Sequence, residues 1–280
     1  MSDRRTTPAN PRVAAAHLQG QVSAERFVTG DPAQVCVFAT GLFAAPGGGL
    51  DRQVLFGDVV DVYERRDGWA YVRAQKDGYC GYLNADDLGA VVAPTHAVCQ
   101  RHTHVYSEAG FKAPTLARLP FGARIAVTGE TGVWHLVQWS GVAGRIHRDH
   151  LRPLSRPMPD PAATAALFIG TPYLWAGNTG DGIDCSGLVQ AACLAADIPC
   201  PGDSDLQAQA VGTAIGDNEP FRRNDVIFWK GHVALAESDE VMIHATANGM
   251  TTLREPIRDA IERIIAQGDG PVTARRRLFP

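Results

Sequence analysis

Apolar and polar residues alternate in short runs through much of the first half of the chain, between residues 35 and 153. The runs 59–63 and 69–73 are examples, and each has a period of two. That period is typical of β-strands with one buried face. Turn-forming triplets at 66–68 and 76–78 separate the runs, so we predict short strands joined by tight hairpins.

The strand-rich region also repeats itself. The segments that match are 37–46 with 105–114, Leu55-Phe56-Gly57 with Pro120-Phe121-Gly122, Trp69 with Trp134, and 81–88 with 144–151. Two copies of one hairpin-rich unit predict two small β-barrels, over residues 35–92 and 97–153. The alternative is a single β-domain that carries two hairpin-rich decorations.

Two other segments frame this region. Residues 1–34 show a helical pattern near Ala14, Leu18 and Val22, which predicts a short N-terminal helix. The stretch 152–161 contains four prolines, which indicates a stiff linker and a domain boundary. We therefore assign residues 154–280 to a separate last domain.

The last domain mixes two periodicities. An apolar helical pattern follows Cys185, and the pattern of 255–267 predicts an amphipathic helix. Strand-like runs occupy 226–235 and 241–245. The arginines at 275–277 fit either a solvated face or a final edge strand, and the pattern does not decide between the two.

Composition narrows the possible function classes. The 280 residues are 45% hydrophobic and 20% charged, with a net charge of −4 and a pI of about 6.1, as in ordinary globular proteins. Nucleic-acid binding is not indicated, because proteins of that class usually carry a basic patch. No apolar run approaches the roughly 18 residues of a membrane span, and no apolar segment follows Arg4-Arg5, so we expect neither a membrane association nor a secretory signal.

The cysteines are widely scattered along the chain. They are Cys36, Cys80, Cys99, Cys185, Cys193 and Cys200. Because none belongs to a CxxC pair, neither a disulfide framework nor a metal site is indicated. We expect reduced thiols in a cytoplasmic protein that needs no metal or other cofactor.

One cysteine has neighbours that suggest chemistry. The glycine-rich loop 177–182 delivers Cys185 to the first turn of a helix, where unpaired N–H groups and the helix dipole favour a thiolate. His232 and His244 follow in the two predicted strands. A cysteine, a histidine that takes its proton and a third polar group that orients the histidine can perform acyl transfer. The alternatives are a small buried cysteine with two ordinary histidines, or a zinc site, for which the short ligand spacing is missing.

Four motifs of the last domain occur in a fixed order: TPYLWAG at 171–177, DCSG at 184–187, GHV at 231–233 and IHA at 243–245. Together they resemble the NlpC/P60 family, papain-like cysteine peptidases that cut bacterial cell-wall peptides. The resemblance runs from near residue 162 to the C-terminus. The two predicted barrels resemble the bacterial SH3 domains that often precede such a peptidase. The expected fold is therefore multidomain: two small SH3-like β-barrels followed by an α+β papain-like catalytic domain.

The resemblance implies a role for each motif residue. Cys185 is the expected nucleophile, and His232 is the general base and then the general acid toward the leaving amine. His244 orients His232, and Tyr173 lies beside the nucleophile and helps to shape the oxyanion site. We assign Trp175 to packing.

The subgroup that the chain resembles has two SH3-like domains and cleaves after γ-D-glutamate in peptides with a free N-terminal L-alanine. The resemblance thus implies a murein-derived partner, L-Ala-γ-D-Glu-diamino acid, and a role in wall-peptide recycling. A buried amine needs a carboxylate, and Asp184, next to the nucleophile, is placed to supply one. The subgroup implies two further amine ligands on the first barrel, Asp51 and Tyr79.

The γ-D-glutamate subsite is implied at Ser186, Asp203 and Ser204. Gly202 departs from the family, which often has an arginine at that position, so one expected partner of the substrate carboxylate is missing. If the first barrel roofs the cleft, a short peptide end fits and a long crosslinked chain does not.

Two other functions fit the same residues. A wall- or peptide-binding protein would combine the SH3-like barrels with an inactive peptidase domain. Another papain-like enzyme, such as an amidase or a transglutaminase, would use the same nucleophile on a substrate from outside the wall.

Overall fold

A computed structural model describes residues 3–139, 141–216 and 219–279. The chain divides into two compact units, Met1–Ser155 and Arg156–Pro280. The division falls inside the proline-rich stretch 152–161. Within the described ranges, every helix is too short or too polar to cross a membrane.

The N-terminal segment forms strands instead of the predicted helix. Strands β1 (Val13–Ala15) and β2 (Arg26–Val28) pair in parallel, and a single 3₁₀ turn (Ala16–Leu18) follows β1. All three residues of β1 are buried, and Val13 and Ala15 join a cluster with tyrosines of the neighbouring sheet. Consecutive burial suits a covered strand, whereas a helix would bury only one side. The helix prediction for the described part of 1–34 is therefore wrong.

The first sheet contains the first set of alternating runs. Its strands are β3 (Asp31–Val35), β4 (Ala39–Phe43), β5 (Leu50–Leu55), β6 (Val59–Arg66), β7 (Trp69–Ala74), β8 (Cys80–Asn84) and β9 (Leu88–Gly89). They are antiparallel in the order β5-β4-β8-β7-β6-β3-β9. Alternate residues such as Val60, Val62 and Val72 point inward and form the core of this sheet.

The second sheet has a strand order that matches the first. Its strands are β10 (His96–Val98), β11 (His102–Tyr106), β12 (Thr115–Pro120), β13 (Arg124–Thr131), β14 (Trp134–Trp139), β15 (Val142–His147) and β16 (Leu151–Pro153). The order is β12-β11-β15-β14-β13-β10-β16, in which each strand corresponds to the one seven places earlier in the chain. The internal repeat is therefore a repeat of topology, with a separate core for the second sheet.

The register of the repeat differs from the prediction at its start. A register shift follows Leu42 in the β4–β5 pair and Val105 in the β11–β12 pair. Tyr106 therefore corresponds to Phe43, and not to Phe38 as the match of 37–46 with 105–114 predicted. The loop between β4 and β5 is shorter than the loop between β11 and β12. The sequence match aligned similar residues without the gap that this difference in length requires.

The second unit combines helices with one antiparallel sheet. Its elements are α1 (Pro161–Ala166), β17 (Asn178–Thr179), β18 (Gly182–Ile183), α2 (Cys185–Ala195), α3 (Ser204–Ala210), β19 (Thr213–Ala214), β20 (Asp225–Trp229), β21 (His232–Ala236), β22 (Val241–Thr246), β23 (Thr251–Pro256), α4 (Ile257–Gln267) and β24 (Ala274–Arg277). The main sheet has the order β19-β24-β20-β21-β22-β23. Helix α4 confirms the predicted amphipathic helix and begins two residues later than expected.

Helices cover both faces of this sheet. Ala234, Ala236 and Met242 pack with the buried side of α4. Because side chains alternate along a strand, Val233 and Ile243 point to the opposite face, where α1 and α2 pack against β21 and β22. The strands that carry the two motif histidines are thus the middle layer of the unit.

Candidate active site

The loop before α2 holds Cys185 at the start of that helix. Asp184 is the N-cap residue, and its Oδ1 accepts a 2.7 Å hydrogen bond from the Gly187 backbone N–H. Its Oδ2 accepts another, at 2.9 Å, from the Ala176 N–H. A Cβ at position 187 would lie 2.5 Å from the Gly177 carbonyl oxygen, so only glycine permits this close approach. Asp184 therefore ties the loop to the helix.

Burial dominates the electrostatics of the Cys185 thiol. The residue is 7% exposed, and burial, followed by the charge of Asp184, raises the pKa of its thiol to about 12. Hydrogen bonds from the backbone N–H groups of Val233, Ser186 and Cys185 act in the opposite direction. Desolvation therefore outweighs the helix N-terminus and opposes the thiolate that the sequence pattern favours.

The two strand histidines are in direct contact. His232 Nε2 lies 2.9 Å from His244 Nδ1, so the two rings share a face of the sheet. His244 is fully buried, and His232 is partly exposed. Burial lowers the pKa of His232 to about 3 and that of His244 to about 4. Both imidazoles are consequently neutral at pH 7 and able to accept a proton.

The strand that carries His232 begins at the nucleophile. The Val233 N–H that contacts the Cys185 sulfur belongs to the residue after His232. The structure thus brings the thiol to the start of β21, and it links His244 to the same place through His232. A thiol, a neutral imidazole and an orienting second imidazole form an arrangement suited to acyl transfer.

Two charged residues that the sequence analysis did not single out complete this cluster. Glu255 Oε2 lies 2.9 Å from His244 Nε2. Arg263 holds the same carboxylate through two contacts, Nε to Oε1 at 2.9 Å and Nη2 to Oε2 at 2.7 Å. The sequence pattern placed Glu255 in a helix that begins at residue 255, but the residue lies on β23. Its proximity to His244 follows from the pairing of β22 with β23, which the pattern does not predict.

Tyr173 is positioned by backbone bonds on both sides of the site. Its N–H donates a hydrogen bond to the Met250 carbonyl at 3.0 Å. Its backbone also forms a parallel β-bridge with Ile183, which lies two residues before Cys185. Burial, then the nearby charges of Cys185 and Asp184, raises the pKa of the phenol to about 12. Tyr173 therefore stays protonated as a hydrogen-bond donor.

Trp175, which we assigned to packing, is 70% exposed, so that assignment is wrong.

The segment that contains Asp203 and Ser204 reaches the start of α2 through a buried glutamine. Gln207 Nε2 donates to the Ser186 carbonyl at 2.9 Å and to the Pro201 carbonyl at 3.0 Å. Asp203 is the N-cap residue of α3, but its side chain makes no cap hydrogen bond. The hydroxyl of Ser186 donates to Asp184 Oδ1 at 2.9 Å.

The expected amine ligands of the first barrel have partners within their own unit. Both carboxylate oxygens of Asp51 accept hydrogen bonds from Arg4, at 2.7 and 2.9 Å. Tyr79 is 2% exposed, and the Arg52 guanidinium lies 5.2 Å from the centre of its ring. An ammonium group that bound Asp51 would therefore share its carboxylate with Arg4 or displace that guanidinium.

The described residues contain no group of three or more His, Cys, Asp or Glu side chains arranged to hold a metal ion.

Comparison with known proteins identifies related families. Residues 170–264 match the NlpC/P60 family, and residues 42–88 match the bacterial dipeptidyl-peptidase Sh3 domain. A γ-D-glutamyl-L-lysine dipeptidyl-peptidase of Bacillus subtilis is 29% identical over 238 residues, which cover 74% of this chain and 77% of that protein. Its namesake from Bacillus cereus is 27% identical over 234 residues, covering 70% and 67%.

A solved structure shares the fold. An NlpC/P60 family protein from Bacillus cereus superposes with a TM-score of 0.74 at 20% identity, over 89% of this chain and 100% of that chain. This likeness concerns the fold of the chain.

Proposed function

Because this chain is a cysteine peptidase of the NlpC/P60 type with a bacterial SH3 domain, we propose that it hydrolyses the bond between γ-D-glutamate and a diamino acid in cell-wall peptides. The observation that carries this proposal is the likeness to γ-D-glutamyl-L-lysine dipeptidyl-peptidases over more than two thirds of the chain. Two contacts support this chemistry: His232 contacts His244, and the N–H of the next residue, Val233, contacts the Cys185 sulfur.

The fold supports two finer assignments. The second sheet has the strand order of the first, part of which matches the Sh3 domain, so we infer that both sheets are SH3-like. In the last unit, a helix carries the cysteine at its N-terminus and packs on an antiparallel sheet that carries the histidines. We infer that this unit is papain-like.

The proposed reaction begins with proton transfer from the Cys185 thiol to His232. The sulfur attacks the γ-carbonyl carbon of D-glutamate, and the carbonyl oxygen becomes an oxyanion. The backbone N–H at the start of α2 and the phenol of Tyr173 are donors that suit this oxyanion. His232 then gives its proton to the leaving amine as the C–N bond breaks.

The acyl-enzyme that remains is a thioester on Cys185. Water attacks it, His232 takes a proton from that water, and the C–S bond breaks to return the thiol. His244 orients His232 in both halves of the reaction, through the 2.9 Å contact of the two rings. Each half uses the same imidazole first as base and then as acid, so no proton is gained or lost by the enzyme overall.

For the γ-D-glutamyl portion of the substrate we propose Ser186, Asp203 and Ser204. Asp184 and Ser186 share a hydrogen bond, and Gln207 joins Ser186 to the loop before Ser204. These contacts support a polar subsite beside the nucleophile.

For the free amine of L-alanine we propose Asp184, Asp51 and Tyr79. Arg4 already occupies the Asp51 carboxylate, so amine binding has to compete with that guanidinium. A requirement for a free N-terminus would restrict the enzyme to released peptides, which suits wall-peptide recycling. No disulfide joins any of the six cysteines, a state that suits a reducing compartment such as the cytoplasm.

The test is incubation of the purified protein with L-Ala-γ-D-Glu-L-Lys and with its diaminopimelate counterpart, followed by mass spectrometry. We expect L-Ala-γ-D-Glu and the free diamino acid, and no products from Cys185→Ala. An N-acetylated substrate should be cleaved much more slowly. Absence of cleavage by the wild-type protein would favour a binding protein or another amidase, and equal cleavage of the acetylated peptide would refute the role of the free amine.

A further inference from the structure

The chain of close contacts that starts at His232 continues past His244, whose Nε2 lies 2.9 Å from the carboxylate of a charged pair, Glu255 and Arg263. We propose that Glu255, held by Arg263, is a positioning residue that selects the reactive tautomers of His244 and His232. The inference rests on the peptidase chemistry proposed above, because the selected tautomers leave His232 able to act as the general base of that reaction. It adds a residue to the reaction that neither touches substrate nor belongs to the four motifs.

Strand pairing places Glu255 within reach of His244. In the antiparallel pair of β22 and β23, Met242 is opposite Glu255, and His244 is opposite Leu253. All four side chains lie on one face of the sheet, since residues two apart on a strand and residues directly opposite share a face. Glu255 and His244 are therefore diagonal neighbours, and the long side chain of Glu255 bridges the gap to 2.9 Å.

Arg263 fixes both the position and the charge of this carboxylate. It lies on α4, which follows β23 directly, and it grips both oxygens of Glu255 in a bidentate contact. Its Nη1 also donates to Gln267 Oε1 at 2.9 Å, so the guanidinium is held from two sides. The hydrogen bonds from Arg263 lower the pKa of Glu255, so the carboxylate is ionised at neutral pH and can only accept hydrogen bonds.

An acceptor at this place determines where the imidazole protons lie. An ionised carboxylate 2.9 Å from His244 Nε2 favours the proton on that nitrogen, which leaves His244 Nδ1 as an acceptor. His232 Nε2, 2.9 Å away, must then carry its proton and donate it. The remaining nitrogen, His232 Nδ1, holds a lone pair and is the atom that can take the Cys185 proton. When His232 becomes an imidazolium, the carboxylate also stabilises the positive charge through His244.

The chain offers a matched control for this pair. Glu237 and Arg254 form a similar bidentate contact, at 2.6 and 2.7 Å, in the same unit. The side chains of Glu237 and Glu255 are 20% and 19% exposed. Glu237 does not take part in the chain of close contacts from His232, so its replacement removes a comparable ion pair without touching the tautomers.

The experiment compares Glu255→Gln with Glu237→Gln in the full chain. Glutamine keeps the size of the side chain but loses the charge, and its amide can donate to Nε2 and favour the wrong tautomer. For Glu255→Gln we expect kcat to fall about 100-fold with KM changed less than about twofold, since removal of a directly bonded carboxylate in a comparable triad costs about 10⁴. For Glu237→Gln we expect both constants to stay near the wild-type values.

A second readout does not depend on any substrate. In protein labelled with ¹⁵N-histidine, the imidazole nitrogens report which of them carries the proton. We expect His232 and His244 to be protonated at Nε2 in the wild-type protein and in Glu237→Gln, and this pattern to be lost in Glu255→Gln. A wild-type spectrum with His232 protonated at Nδ1 would overturn the proposal, even if Glu255→Gln failed to fold.

The two readouts separate the relay from the substrate assignment. If wild-type protein does not cleave the wall peptides, the proposed function fails, but the ¹⁵N spectrum still decides on the tautomers. If wild-type protein and Glu255→Gln cleave them at equal rates, Glu255 has no positioning role and the peptidase assignment stands.

Discussion

At Cys185, two effects of the fold act in opposite directions on the same sulfur. The backbone N–H groups at the start of α2 and on Val233 stabilise a thiolate, whereas burial and the charge of Asp184 destabilise it. Burial is the larger effect, so the pKa of the thiol rises to about 12, while burial lowers the pKa of His232 to about 3. Burial thus favours a neutral thiol and a neutral imidazole over the charged pair.

This state predicts a particular pH dependence of Cys185 alkylation. With iodoacetamide, the rate in the empty enzyme should keep rising above about pH 9, because only the thiolate reacts. Cys185→Ala provides the background from the other cysteines. A rate that reaches a plateau near about pH 6 would instead indicate a preformed thiolate–imidazolium pair, contrary to the prediction.

At the level of the elements, β24 shows where the arginines at 275–277 lie, which the sequence pattern left open. The strand contains Arg275, Arg276 and Arg277 and lies between β19 and β20, so it is an interior strand of the sheet. Arg277 Nε and Nη2 contact the two carboxylate oxygens of Asp225 at 3.0 and 2.9 Å. Asp225 is almost fully buried and also accepts the Arg222 N–H at 2.8 Å. One arginine of the run is thus a structural partner of a buried charge.

Replacing Arg277 by methionine should destabilise the second unit. The substitution leaves the Asp225 carboxylate buried without its main cationic partner, and an uncompensated buried charge is strongly unfavourable. We expect Tm to fall by several degrees in calorimetry. Arg258→Met is the control, because Arg258 forms an exposed ion pair with Glu262, and pairs of that kind contribute little. Equal Tm values for the two variants would contradict the role of Arg277.

Elements with a strong local pattern were predictable. Helix α4 has its buried residues on one side, and β22 matches the apolar run 241–245. The run 226–235, which the pattern predicted as one strand, is instead two antiparallel strands, β20 and β21, that turn at Gly231. The N-terminal segment was not predictable in this way, because Val13 and Ala15 of β1 are buried among tyrosines of the neighbouring sheet. No periodicity within 1–34 contains that information.

Over the whole molecule, two sheets with one strand order precede a unit of mixed helices and strands. The equivalent aromatic pairs Phe43–Trp69 and Tyr106–Trp134 are both edge-on, with ring centres 5.5 and 5.4 Å apart. They show that the duplication extends to side-chain packing. The proposed catalytic residues all lie in the second unit, so the candidate site exists only under conditions in which this unit is folded.

The histidine pair predicts that this unit loses stability as the pH falls from about 6.5 to about 5. Burial holds the pKa values of His232 and His244 at about 3 and about 4 in the folded state, below the value of 6.5 for free histidine. The unfolded chain therefore binds protons first on acidification, and stability present above that value is lost as the pH falls.

Urea unfolding of the wild-type protein and of His244→Gln across this pH range measures the effect. The free energy of unfolding should fall less steeply with decreasing pH in the variant, because one of the two shifted groups is gone. Most carboxylates titrate below this window, so their contribution is largely separated. Parallel curves for the two proteins would contradict the prediction.

The amino-acid sequence alone determined the nucleophile candidate, the two histidines, the strand repeat and the proline-rich boundary, because each is written in local spacing or composition. The tertiary structure alone decided the ionisation state of Cys185, the alignment of the two sheets, and the partnership of His244 with Glu255 and Arg263. These depend on how deeply a group is buried and on which strands are neighbours. Both arise from contacts between residues far apart in the chain, which no local pattern records.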